Sequence, residues 1–122
     1  MAATINAVTI ASSAAVSGAL DADGRRVAAI IGPTAWTAAD ISFEVYDAAN
    51  SAWRKVVDSA GGLVKITGVA TTASEYMFLP EIADRLIANR LRVVSTNTAS
   101  EADINQDAAR TLYVVLEASK WN

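Results

Sequence analysis

Between positions 41 and 46 the chain reads Ile-Ser-Phe-Glu-Val-Tyr, so that Ile41, Phe43 and Val45 alternate with Ser42, Glu44 and Tyr46. A period of two marks a β-strand, because successive side chains of a strand point to opposite sides of its sheet. The alternation predicts one buried and one wetter face. Just upstream, Pro33 fixes φ, and Trp36 falls in the loop that leads into the strand. A Trp there can lay its ring over the end of a sheet core while its N–H finds a carbonyl. Residues 47–51 are Asp-Ala-Ala-Asn-Ser, a turn composition, and residues 52–57 return with Trp53, Lys55 and Val57 alternating against Arg54 and Val56. Two such runs separated by a four- or five-residue loop read as a hairpin.

The same pattern recurs along the chain. Residues 4–10 form a first strand, with Val8 and Ile10 on one face. Residues 11–18 are small and polar without a clear period, and read either as a short strand or as an ordered arm. Asp21-Ala-Asp-Gly24 signals a turn in which Gly24 can take a positive φ. Residues 26–31 are apolar and β-branched, and read as a buried strand ended by Gly32-Pro33. Short strands are expected over 63–66 and 75–79, and longer ones over 89–96 and 111–117, the last with Leu112, Val114 and Leu116 on one face. Only residues 80–87 suggest a helical turn, with Pro80 at its first position. Seven or eight strands at regular spacing predict an all-β fold, an antiparallel β-sandwich of jelly-roll type. The 122 residues suffice for one domain, 1–122, with 1–18 as a candidate N-terminal arm.

Composition narrows the chemistry. With no Cys there is no disulfide, thiolate metal site or Cys nucleophile, and with no His the commonest metal ligand and general base are missing. The expectation is a protein that is not an enzyme and carries no cofactor and no metal. The net charge is −3 and the basic residues are scattered, which argues against nucleic acid as a partner. The apolar first twenty residues lack a basic leader and are interrupted by Thr and Ser, so they read as mature protein. No run approaches the roughly 18 apolar residues of a membrane helix, so no membrane partner is expected.

Three carboxylate groupings bear on possible chemistry. Asp21 and Asp23 before Gly24 could begin a calcium loop, but their neighbours are Ala and Arg where six to eight oxygens are needed. Glu101, Asp103 and Asp107 read as a solvated loop. Asp40 and Glu44, four apart on a strand, point to one face as an acid–base pair would, and also as exposed sheet residues ordinarily do. The aromatic set Trp36, Trp53, Trp121, Tyr46, Tyr76 and Tyr113 could form a sugar-stacking platform; core packing plus a subunit interface is the simpler reading.

Several phrases resemble a family of small structural proteins of tailed bacteriophages, over most of residues 27–117. They are Pro33-Thr-Ala-Trp36-Thr-Ala-Ala39-Asp-Ile41-Ser-Phe43-Glu-Val45, the strand at 53–57, the Pro80 corner before Leu91-Arg-Val93, and the closing run Asn105-Gln106-Asp107-Ala108-Ala109-Arg110-Thr111-Leu112. Two features depart from the pattern: Asp47-Ala-Ala-Asn50 stands where relatives carry a Gly-rich turn, and the tail ending in Trp121 lies outside it. The resemblance implies a virion component without catalytic activity. Its implied role is a capsid decoration (cement) protein, homotrimeric, made in the host cytoplasm and bound to the major capsid protein on the outside of the shell. A head-fibre or tail component is the neighbouring alternative, and a carbohydrate-binding module that recognises the host surface is the alternative of another class. Candidate interface residues are Ile5, Val8, Ile10, Trp36, Trp53, Tyr113 and Trp121. Residues 2–10, as an N-terminal arm, are a candidate capsid anchor, so deleting them should leave a folded domain that no longer binds shells.

Overall fold

The computed structural model describes residues 3–67, 75–78 and 86–118. Among these there are nine strands and no helix: β1 Thr4–Ile10, β2 Leu20–Asp21, β3 Arg26–Ile31, β4 Asp40–Asp47, β5 Ala52–Lys55, β6 Lys65–Ile66, β7 Tyr76–Phe78, β8 Arg90–Thr96 and β9 Arg110–Glu117. They form two sheets, ordered β1-β9-β3-β7 and β2-β8-β4-β5, with β6 also beside β4. Every pairing is antiparallel.

Without the two-residue β6, the remaining strands pair first with last: β1 with β9, β2 with β8, β3 with β7 and β4 with β5. The pairs β3–β9 and β4–β8 then complete the two sheets. This is one long antiparallel ribbon rolled onto itself, the double Greek key of a jelly roll. The all-β antiparallel sandwich read from the sequence is therefore the fold observed.

The core lies between the sheets. Val8, Ile10, Val27, Ile30, Leu112, Val114 and Leu116 face Ile41, Phe43, Ile66, Leu91 and Val93 in one cluster. Each large side chain buried here contributes about 1.5–3 kcal/mol of transfer free energy, and Phe43 is the largest that is fully enclosed. Trp36 packs on the edge of the cluster and its Nε1–H donates to Ala39 O at 3.0 Å, the arrangement its loop position suggested. At the β2–β3 connection Asp23 and Gly24 have φ of 53° and 75°, and Arg25 N–H donates to Ala22 O at 2.9 Å. Two consecutive left-handed residues are what a type I′ turn needs, which explains the Asp-Gly pair.

Three expectations are corrected. First, β4 is not wet on one side: Asp40, Ser42 and Glu44 are buried along with Ile41 and Phe43, because β8, β5 and β6 cover that face with long side chains. Second, residues 4–10 are not a free arm. They make seven register pairs with β9, and Val8 and Ile10 are 5% and 0% exposed, so both are core residues and neither is presented to a partner. Residues 11–18 continue as an ordered stretch: Ile10 bridges Ser17, Val16 bridges Val94, and Ser95 N–H donates to Ala15 O. Third, of the helical turn expected over 80–87, residues 80–85 lie outside the described residues. Ile87 is extended, in an antiparallel bridge with Arg26, with Leu86 and Ala88 buried on either side.

Candidate functional site

Residues paired across an antiparallel ladder share a face, so the registers give the outer surface of the β1-β9-β3-β7 sheet row by row. One row is Ala7, Tyr113, Ile31 and Tyr76; the next runs Ile5, Val115, Ala29, of which Ile5 is exposed while Val115 and Ala29 are buried. At one end lie Thr9 and Thr111, whose hydroxyls hydrogen-bond at 3.0 Å. At the other end the Arg26–Glu117 ion pair adjoins Ile87. The two central rows hold no charged residue. Among the described residues the large exposed apolar side chains are Ile5 (62%), Val57 (51%), Tyr76 (50%), Ile87 (42%) and Tyr113 (41%), and all but Val57 fall on this one face. Exposed apolar side chains bracketed by polar ends have the anatomy of a protein interface. An open cleft of about 370 Å³, lined by Ile31, Pro33, Ala35, Ala109, Arg110 and Tyr113, indents one end of it.

The outer face of the other sheet is built differently. Glu44 accepts from Arg92 Nε at 2.7 Å and lies 3.7 Å from Lys55, which also reaches Asp103 at 3.3 Å. Asp40 accepts from Thr98 Oγ1 at 3.1 Å, and its second oxygen is held by the Lys65 ammonium at 3.3 Å, which also pairs with Glu101. Burial works against the charge on Lys65, but the carboxylates of Asp40 and Glu101 outweigh it and hold its pKa above the ordinary value. The Arg92 guanidinium stacks 4.3 Å over Trp53, and Arg90 sits 5.4 Å over Tyr46, which meets Trp53 edge-on. Such cation–π contacts consume the ring faces a ligand would need. Asp40 and Glu44 thus share a face but serve as ion-pair acceptors.

A third feature is the corner where two sequence phrases meet. Gln106 is fully buried. Its Oε1 accepts from Thr37 N–H at 2.8 Å and from Arg110 Nε at 3.2 Å; its Nε2 donates to Thr37 O at 3.1 Å and Ser95 Oγ at 2.8 Å. Asp107 accepts from Arg110 Nη2 at 2.6 Å and from the Thr37 hydroxyl at 2.8 Å. The Trp36 loop and the Asn105–Leu112 run are therefore two halves of one hydrogen-bonded joint. The side chains most distinctive in those phrases hold loops together.

Of the residues singled out from sequence, Ile5 and Tyr113 lie on the apolar face, in adjoining rows. Trp53 is on the opposite sheet, half-buried under Arg92, and Trp36 packs against the core. The six aromatics do not form one platform: Tyr46 and Trp53 belong to one outer face, Tyr76 and Tyr113 to the other. Trp121 lies outside the described residues. Tyr76 and Ile87 were not singled out as interface residues; their signal becomes readable only once register places them beside Tyr113 and Arg26. Of the acidic residues of the two suspected cation loops, Asp21 pairs with Arg90 at 3.9 Å and Asp103, Glu101 and Asp107 pair as described, and the described residues contain no group of three or more carboxylates placed to hold a metal ion. The chain matches no protein-family model, no curated protein and no solved structure.

Proposed function

We propose that this protein is a non-enzymatic structural component of a virion, a decoration protein that binds the outside of a capsid lattice through the apolar face of the β1-β9-β3-β7 sheet. The observation that carries the reading is the gathering of Ile5, Tyr76, Ile87 and Tyr113 on one outer face while the other face is closed by ion pairs. Jelly rolls house viral capsid and lectin domains among other functions, so the fold is compatible without deciding the matter; the sequence resemblance supplies the partner. A rigid slab that bridges neighbouring shell subunits adds interface that must break before the shell opens, and many copies act together through avidity. Copy number by quantitative mass spectrometry on purified particles tests the reading. Hundreds of copies per particle support it; a few dozen or fewer mean a fibre or tail location, and none removes the virion role.

A further inference from the structure

We propose that the protein pairs with a second copy of itself through the exposed edge of β1, giving one continuous eight-stranded sheet across a two-fold axis. This goes beyond the capsid reading and does not depend on it.

The argument begins with the four sheet edges. β2 has two residues and β7 three, while β5 has four and carries Arg54 and Lys55. Short edges and charged edges are the ordinary ways of discouraging edge-to-edge pairing. β1 has neither device. Its seven residues, Thr-Ile-Asn-Ala-Val-Thr-Ile, contain no charge and no Pro.

Backbone direction gives the next step. Thr9 C=O accepts from Gly18 N–H at 3.2 Å on the side away from β9. In an antiparallel ladder, residues two apart turn their N–H and C=O the same way. Ile5 and Ala7 therefore turn theirs to that open side, and these groups have no partner among the described residues. Beyond Val8 the edge is covered by Ser17 and Gly18, so the open run is Thr4 to Val8, with Asn6 at its centre. Arg25 reaches only the Thr4 hydroxyl at its end.

A run centred on Asn6 is complementary to its own copy. Antiparallel pairing about Asn6 sets Ile5 of one copy opposite Ala7 of the other, twice. Each such pair joins residues whose free N–H and C=O face one another, making four backbone hydrogen bonds in all. It also sets a large exposed side chain against a small one on the apolar face. The Asn6 amide is already engaged with Thr4 and Val114 O, so the seam rests on backbone and on Ile5 and Ala7. An isologous contact of this kind closes at two copies, where the resemblance implies three.

The test uses purified full-length protein without particles. Sedimentation equilibrium of the wild type should give twice the 12.7 kDa chain mass. The Ile5 and Ala7 amide hydrogens should exchange more slowly at high protein concentration than at low. Ala7→Pro removes the outward N–H and fixes φ, a change tolerated on an edge strand; it should weaken the dimer by at least about tenfold, the effect of losing one backbone hydrogen bond per copy, with an unchanged circular dichroism spectrum. Ile5→Lys, at a side chain 62% exposed, should do the same and serves if Ala7→Pro fails to fold. A monomer or trimer at high concentration, concentration-independent exchange at both amides, or a dimer that survives Ile5→Lys overturns the proposal.

Discussion

Replacing Gln106 with Leu tests whether one amide holds the corner between the Trp36 loop and β9. Leu keeps most of the volume, so little cavity is made and the loss is chiefly polar. Four hydrogen bonds disappear: two with the Thr37 backbone, one with Ser95 Oγ and one with Arg110 Nε. Arg110 keeps Asp107 and the Thr37 hydroxyl, and the Ser95 hydroxyl can rotate. The uncompensated groups are the N–H and C=O of Thr37. A buried polar group left without a partner costs about 1–3 kcal/mol; Thr37 is only half-buried, so water recovers part of this. The expected total is about 2–4 kcal/mol. For a chain of this length 1 kcal/mol corresponds to about 4 °C in melting temperature, so Gln106→Leu should melt about 8–16 °C below the wild type. Thermal denaturation followed by far-UV circular dichroism gives that number, and hydrogen exchange at the Thr37 amide shows whether the loss starts at the corner. A fall of less than about 4 °C, equivalent to 1 kcal/mol, with Thr37 still protected, would refute the claim that this amide joins the two phrases.

Three further outcomes follow from the same geometry. Deleting residues 2–10 removes Val8 and Ile10 from the core and strips β9 of its edge partner, so the truncate should give the spectrum of an unfolded chain; a folded truncate would restore the free arm. Arg92→Met removes the guanidinium from Trp53 and from Glu44, leaving that carboxylate, only 9% exposed, with Lys55 at 3.7 Å. It should destabilise by about 1–3 kcal/mol in urea titration, whereas a loss indistinguishable from zero would mean that the stack contributes nothing. In the β4–β5 turn, the Asn50 side chain holds the Asp47 carboxyl below its ordinary value of 3.8, against a smaller opposing effect of burial. A carboxyl lowered on folding adds stability above its unfolded pKa and loses it as pH falls through the folded one. Wild type and Asn50→Ala should therefore differ in urea midpoint above pH 3.8 and converge below it; a difference that grows towards acid would reverse the assignment.

The parts of the fold that the sequence disclosed are those governed by local period. Residues 41–46 and 111–117 alternate and residues 26–31 form an apolar run rich in Val and Ile, and each is a strand within a residue or two of its expected ends. The Asp-Gly turn and the Trp36 N–H were legible because the chemistry is contained in a few consecutive residues. The burial of both faces of β4 is not legible locally, because Ser42 and Glu44 are polar and polarity usually means exposure. Here Ser42 is buried against Thr96 at 2.5 Å and Glu44 under Arg92, partners 54 and 48 positions away. The docking of the N-terminal strand is hidden for the converse reason: β1 meets β9 across a hundred residues or more, and nothing local announces that pairing. The aromatic residues could be counted in sequence but not sorted, because which sheet each belongs to is a property of the ribbon's roll.

The contrast between the two outer faces leads to one last expectation. On the β2-β8-β4-β5 face, cross-strand ion pairs fill positions that a soluble slab would fill with charge anyway. On the other face, Tyr113 and Ile87 are 41% and 42% exposed, large apolar side chains left partly open to water. If they were mere surface residues with no partner, replacing them would change nothing beyond solubility. If the face is an interface, Tyr113→Lys and Ile87→Lys should leave the melting curve within about 0.5 kcal/mol of the wild type, as surface substitutions do, yet abolish recovery of the protein on purified particles in a sedimentation assay. Retained binding by the double variant would show that the capsid meets some other surface. A double variant that melts far below the wild type would show instead that these side chains belong to the packing of the sheet, and that exposure at positions 87 and 113 was misread as readiness for a partner.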